Sequence, residues 1–295
     1  MADLENHRWP AVAKINRFLH IVGRREDGYH ELQTVFQFID LADELNIRLR
    51  QDDRIDLHGH TGSWPVEQDL VFRAARLLQQ QCHYPGGADI HIHKQIPAGG
   101  GLGGGSSDAA TTLVALNRLW GLGLSAQALS GIGRNLGADV PVFVQGQAAW
   151  AEGAGEKLTP LELDCPWCLL VMPDVHMSTA EIFSAVELTR NTAPIKIADF
   201  EQGGCYEFGH NDCESVVIQR SPEIARVLNV LRELTQNTDA AQSVKMSGTG
   251  SSVFALFNDR ASACTIQDSL PEGWRSRVIK TLNRSPLLER LQRES

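Results

Sequence analysis

The sequence predicts an α+β protein of two lobes, the first built on a mixed or antiparallel sheet with helices and the second an α/β sandwich. Three observations carry this expectation. Strand-like runs crowd the opening, strands and helices alternate after them, and a turn-rich stretch around residues 155–165 separates the two sets. The lobes are accordingly placed at residues 1–160 and 161–295.

In order, residues 15–22, 35–39, 44–50 and 55–58 read as strands with polar turns between them, for which antiparallel pairing is the economical arrangement. Between residues 70 and 81, Val71, Ala74, Ala75 and Leu78 recur at helical spacing, and Pro85-Gly86-Gly87 closes the segment. The strict alternation from Asp89 to Lys94 predicts a half-buried strand. Ser106, Ser107 and Asp108 then open a helix that runs to Trp120, with the serines able to cap it. Another helix follows over residues 125–136 and ends at Gly137, after which residues 139–144 read as a turn into a strand. In the second lobe, residues 168–172 and 252–257 are expected as strands and residues 179–186, 222–235 and 261–270 as helices.

Composition narrows the function. A chain of 295 residues, 42% hydrophobic and 21% charged, buries a sizeable core. Its formal charge of −9 with no long basic run argues against nucleic acid or an anionic membrane as partner. A phosphate ligand must therefore be held locally. No apolar stretch reaches the length of a membrane span and residues 1–9 are polar, so the cytoplasm is the expected compartment. The six cysteines, Cys82, Cys165, Cys168, Cys205, Cys213 and Cys264, are too sparse for a disulfide scaffold. Cys165 and Cys168 spell C-x-x-C, but an apolar strand follows instead of a helix start, which favours a structural role. His58 with His60, and His91 with His93, lie two apart on strands; without a third ligand they read as a packed or solvated face.

The most informative stretch is Pro97, Ala98, Gly99, Gly100, Gly101, Leu102, Gly103, Gly104, Gly105, Ser106 and Ser107, which joins a strand to a helix start. Six glycines in seven residues let the main chain take positive φ and approach an anion closely, while the helix N-terminus supplies free N–H groups. Gly99-x-Gly101-x-x-Gly104 formally matches a dinucleotide fingerprint, yet no acidic residue lies between Asp108 and Asp139 to hold a ribose. A Walker loop needs a lysine after its glycines, and none follows.

From Pro97 to Ala110 the segment instead resembles the second motif of the GHMP kinases, the superfamily of galactokinase, homoserine kinase and mevalonate kinase. Four further segments resemble one branch of it, whose phosphoryl acceptor is an erythritol alcohol carrying cytidine diphosphate. They are Ala13-Lys14-Ile15-Asn16, residues 27–34 (Asp-Gly-Tyr-His-Glu-Leu-Gln-Thr), residues 137–143 (Gly-Ala-Asp-Val-Pro-Val-Phe) and Asn211-Asp212-Cys213-Glu214. The likeness covers essentially the whole chain and implies the two-lobed fold of that superfamily and an ATP-dependent small-molecule kinase. It implies Lys14 and Asp139 as the catalytic pair and residues 97–107 as the phosphate wrap. It also implies Tyr29 and Phe183 as faces sandwiching a cytosine, His30 as a bond to its edge, and Asn16 in the acceptor site. Phosphoryl transfer needs an acceptor for the hydroxyl proton and positive charge where phosphoryl oxygens crowd, which Asp139 and Lys14 can supply. Residues 246–252 resemble the third motif, which implies a loop closing over the phosphates or the substrate tail, with Gly248 and Thr249 expected at the acceptor.

Two positions depart from the pattern: Val12 stands where the branch has proline, and Asp69 where an asparagine helps hold adenine. An ionised carboxylate at Asp69 accepts hydrogen bonds but cannot donate one. Mg²⁺ is implied by ATP chemistry, with Ser107 and Asp139 as the nearest candidates to hold it. The partner is a small molecule, and the assembly a monomer or homodimer. A noncatalytic nucleotide sensor is disfavoured by the presence of both Lys14 and Asp139. A sibling kinase for homoserine or mevalonate is disfavoured by the Gly-Tyr-His segment, since those alcohols carry no base to stack.

Overall fold

The computed structural model describes residues 8–26, 28–60, 64–202, 209–236 and 241–293. The polar start before residue 8, Asp27 and Cys205 lie outside them. Two long strands form the spine, β1 (Arg8–Arg24) and β2 (His30–Arg50). They pair antiparallel over most of their length, with register shifts after Val12, Asn16 and Ile21. β1 is buried almost throughout, including Lys14, Asn16, Arg17 and His20, so its polar side chains must find partners inside the protein.

The other edge of β2 is shared in succession by three strands. These are β5 (Ala149–Gly153) at residues 32–36, β10 (Ser276–Leu282) at 38–39 and β4 (Gly87–His93) at 44–50. β3 (Ile55–His58) adds to β4 in parallel, and β6 (Lys157–Pro160) folds back on β5 as a hairpin. On its far edge β10 continues into β7 (Trp167–Val171), β9 (Val253–Phe257) and β8 (Ala241–Met246), so a single ten-stranded sheet runs through both lobes. The late strand β10 joins the halves.

The helices α1 (Leu70–Gln81), α2 (Gly104–Leu119), α3 (Ala126–Gly133) and α4 (Val140–Gln145) cover the first half and close its core. Asp69 caps α1 by accepting from Val71 N at 2.8 Å, worth about 1 kcal/mol. The buried face of α1 carries the four apolar residues predicted for it. The second core gathers α5 (Thr179–Ser184), α7 (Glu214–Arg220), α8 (Pro222–Thr235) and α9 (Arg260–Asp268) over β7, β8 and β9. Phe200 of α6 (Ile197–Gln202) fills a smaller cluster with Phe18 and Trp150. The last helix, α10 (Pro286–Arg293), returns to the first lobe and buries Leu287 there. No helix among the described residues is long and apolar enough to cross a membrane.

Two local expectations are corrected. Residues 140–145 form the buried helix α4, not a strand: Pro141 in its first turn has no N–H to give a sheet ladder, and Gly146 at φ 65° closes the helix. A short apolar run of this kind has no period that separates the two forms. Helix α2 starts at Gly104, two residues before the serines expected to open it. Its N-cap is Gly103 and no side chain caps it, so Ser106 and Ser107 lie within the helix. The glycines around residue 153 turn the β5–β6 hairpin.

Candidate active site

The site is assembled around a buried lysine. Lys14 lies opposite Phe38 of β2, and its side chain is 4% exposed. Its three N–H donors are accounted for: Nζ donates to Asn16 Oδ1 at 2.6 Å and to the Gly101 carbonyl at 3.1 Å, and sits 3.4 Å from Asp139 Oδ2. Asn16 is held in turn by Nδ2 donation to Thr34 Oγ1 at 2.9 Å. The ammonium therefore has a fixed direction. Asp139 stands at the start of α4, in the helix that replaced the expected strand, and its carboxylate is 31% exposed.

The glycine segment is clamped on both sides by hydrogen bonds to its carbonyls. Lys14 N donates to Leu102 O at 3.0 Å, Ser252 N to Gly100 O at 3.1 Å and Ser251 N to Gly99 O at 3.3 Å, while Ser247 Oγ donates to Gly101 O at 2.9 Å. The second small-residue loop thus packs directly against the first. Gly101 has φ 72°, and a Cβ there would lie 2.0 Å from the Ser247 carbonyl oxygen, so only glycine permits this approach. The uncapped first turn of α2 lines the resulting cavity, leaving its N–H groups for an anion.

One cavity of about 540 Å³ collects Lys14, Asn16, Asp69, the run from Pro97 to Ser106, Asp139, Phe183, Gly248 and Thr249. Three expected site residues are off its wall: Ser107 is buried at 1% exposure, Tyr29 is 63% exposed, and His30 stacks on Phe183.

Comparison with known proteins shows the family of the chain. The profile of the GHMP kinases N terminal domain matches residues 69–147, and that of the GHMP kinases C terminal matches residues 202–276. The 4-diphosphocytidyl-2-C-methyl-D-erythritol kinase of Nitrosospira multiformis is 53% identical over 94% of this chain and 92% of its own. That of Nitrosococcus oceani is 50% identical over 97% and 98%. The chain belongs to the 4-diphosphocytidyl-2-C-methyl-D-erythritol kinase family of GHMP kinases. A crystal structure of a 4-(cytidine 5'-diphospho)-2C-methyl-D-erythritol kinase superposes with a TM-score of 0.78 at 31% identity, covering 93% of this chain and 98% of that one.

Within this GHMP kinase fold, the structure shows what several supports of the site hold. Asn211 Nδ2 donates to the carbonyls of Met246 at 2.9 Å and Gly248 at 2.7 Å, and so holds the second loop. Its neighbour Asp212 accepts from Ile21 N at 2.6 Å and from Thr192 Oγ1 at 2.8 Å, tying the same turn to β1. Lys94, at the end of β4, bridges Asp43 and Asp108, with its bond to Asp108 at 2.6 Å. Burial pushes the Asp108 carboxyl up to about 8 against the pull of Lys94. Asp43 also accepts from Ile96 N at 2.9 Å, so this cluster anchors the strand that leads into the glycines. The His176 ring lies against Gly99, and a Cβ there would stand 2.0 Å from its Nδ1.

The far end of the cavity is built differently. Phe183, on α5, stacks with His30 at 5.3 Å between centroids and 29° between planes. Thr179 Oγ1 and Thr249 Oγ1 lie 3.1 Å apart and link α5 to the second loop. At the opposite end, one oxygen of Asp69 is committed to the α1 cap and the other lies 3.7 Å from His60 Nδ1.

Elsewhere, His58 stacks on His91 across the β3–β4 pair at 4.4 Å, and no group of three or more possible metal ligands occurs among the described residues. Burial pushes the thiol of Cys168 up to about 12 and that of Cys165 upward as well, the opposite of a reactive redox pair.

Proposed function

We propose that the protein transfers the γ-phosphoryl group of ATP to the 2-hydroxyl of 4-diphosphocytidyl-2-C-methyl-D-erythritol, giving the 2-phosphate and ADP in the non-mevalonate route to isoprenoid precursors. The observation that carries this reading is the Lys14–Asp139 pair, 3.4 Å apart and set directly beside the clamped glycine loop. Asp139 accepts the proton of the attacking hydroxyl. Lys14, directed by Asn16 and the Gly101 carbonyl, places positive charge where the phosphoryl oxygens crowd. The main chain from Pro97 to Ser106 and the first turn of α2 hold the ATP phosphates.

Mg²⁺ suits this donor set, because the partly exposed Asp139 carboxylate is a hard oxygen ligand on the cavity wall and phosphates complete such sites. Asp139 would hold it, whereas Ser107 is buried and does not line the cavity. The bound ion would neutralise charge on the phosphates. The acceptor's cytosine occupies the Phe183 end with His30 at its edge, and Tyr29, on the exposed turn before β2, supplies the second face. Asp69 is assigned to the adenine end as an acceptor only. Residues 1–160 and 161–295 are treated as the two lobes, and the enzyme is taken to work in the cytoplasm as a monomer or homodimer.

An ADP-release assay on the purified protein tests the reading, with the cytidyl erythritol, homoserine and mevalonate offered in parallel. Turnover with the cytidyl acceptor alone is expected. Turnover with homoserine or mevalonate instead would overturn the acceptor assignment, and ATP binding without turnover would favour a sensor.

A further inference from the structure

The cavity has to accept two polyphosphates, yet its side chains carry no spare positive charge. Both lysines that line it are committed, Lys14 to Asn16, the Gly101 carbonyl and Asp139, and Lys94 to Asp43 and Asp108. Three carboxyl groups, Asp69, Asp108 and Asp139, share the same wall. Burial pushes the Asp108 carboxyl up to about 8, and even with that group protonated the two lysines and the two remaining carboxylates only cancel. Apart from a bound metal ion, phosphate charge must be met by main-chain N–H groups and by whatever donor the wall still holds.

Two histidines supply the candidates. His60 faces the Asp69 carboxylate at 3.7 Å. His176, in the segment between β7 and α5, forms no hydrogen bond or ion pair with any described residue. Its ring is nevertheless fixed in place. It fills the space in which a side chain at Gly99 would stand, with Nδ1 and Cε1 the ring atoms nearest that point. Gly99 has φ 69°, and its carbonyl accepts from Ser251 N at 3.3 Å, so the surface under the ring is held as well. On the other side, Ser178 caps α5 by accepting from Glu181 N at 3.4 Å, and the Thr179 hydroxyl meets that of Thr249. The imidazole thus sits between the start of the glycine cradle and α5. With the Nδ1 edge against Gly99, Nε2 is the ring nitrogen left away from the loop.

We propose that His176 is a phosphate-binding residue of this cavity, donating from Nε2 to a phosphate oxygen of a bound nucleotide. The oxygen belongs to the triphosphate of ATP or to the diphosphate of the cytidyl acceptor, two sources of one ligand chemistry. An imidazole N–H donates to such an oxygen when neutral, and protonation adds the charge that the paired lysines lack. This inference rests on the kinase reading above and adds to it a side-chain donor that neither the cradle nor Lys14 provides.

The test begins with the native protein. In ¹⁵N-histidine NMR, with the His176 resonances assigned by their loss in His176→Ala, ADP and cytidine diphosphate are added separately. One of them is expected to shift Nε2, whereas adenosine and cytidine, which carry no phosphate, should leave it in place. A shift with ADP assigns the contact to the donor, and one with cytidine diphosphate assigns it to the acceptor. In His176→Ala, kcat/KM for the substrate so assigned should fall about tenfold, the equivalent of one hydrogen bond to a charged group. The value for the other substrate and the melting temperature should stay near native, since His176 is an exposed residue outside the cores. The amide nitrogen of His176→Gln reaches the place of Nε2 and should recover most of the loss, while the shorter His176→Asn should recover little.

A resonance unmoved by both diphosphates, or moved as far by the nucleosides alone, would overturn the proposal. So would native kcat/KM for both substrates in His176→Ala, or His176→Asn matching His176→Gln. Absence of turnover with the cytidyl acceptor in the native protein would instead fell the proposed function, leaving the nucleotide shifts to decide the His176 contact by themselves.

Discussion

The two ends of the cavity are made of different material. Around the glycines, position is set through the main chain: the carbonyls of Gly99, Gly100 and Leu102 accept from the backbone N–H groups of Ser251, Ser252 and Lys14, and that of Gly101 from the side chains of Lys14 and Ser247. Around Phe183, position is set by side chains, with the His30 imidazole, a phenyl ring and the Arg190 guanidinium, which donates to His30, arranged on a helix of six residues. The contrast teaches where each kind of specificity resides. A triphosphate presents the same oxygens every time and suits a rigid backbone cradle, whereas distinguishing one base from another requires particular donors and flat faces.

That difference can be broken from the backbone side first. Gly101→Ala is expected to have the largest effect, because its Cβ would meet the Ser247 carbonyl at 2.0 Å at a positive φ. About 3 kcal/mol of strain should lower the melting temperature and weaken ATP binding together, leaving no variant that separates the two. Near-native ATP affinity in Gly101→Ala would mean that the cradle is softer than its contacts imply.

A second prediction concerns the brace behind the cradle. His20 on β1 is buried and packs on His210, and burial first and then His210 lower its pKa to about 4. A histidine whose folded value lies below its unfolded one is held neutral by the fold, so its stability contribution is full above the unfolded value. It is lost as pH falls from about 6.5 towards about 4, by up to about 3 kcal/mol. Denaturant unfolding of native protein and His20→Gln should diverge above that window and converge within it. Parallel curves throughout would remove His20 from the acid response.

Phe183→Ala sharpens the other end and should have the smaller effect. Loss of one stacking face costs about 1–3 kcal/mol, so the acceptor KM should rise roughly tenfold while the ATP KM and melting temperature barely move. A rise confined to the ATP KM would misplace the base.

How much of this was legible in the sequence follows the same division. The cradle was legible because six glycines between a strand and a helix admit few other readings, and α1 because its apolar face keeps a helical period. The setting of Asp139 was misread as a strand, since Val-Pro-Val-Phe-Val has no period and only Pro141 hinted at a first helical turn. β10 was missed because its half-buried residues show no clean alternation. Buried Lys14 looked by residue type like a surface group, and only the motif around it pointed inward. Arg190, Ser247 and Asn211 act through partners at 160, 146 and 37 positions' separation respectively, distances at which no local pattern operates. Side-chain sites assembled from distant segments become visible only once the sheet has joined them.

The central claim, that the pair beside the glycine cradle performs the transfer, is tested most directly by Asp139→Asn. ATP affinity by calorimetry and turnover with the cytidyl acceptor should be measured on one preparation. The expected result is nearly unchanged ATP affinity with turnover reduced by about two orders of magnitude or more. Turnover equal to that of the native protein would contradict it and take Asp139 out of the reaction.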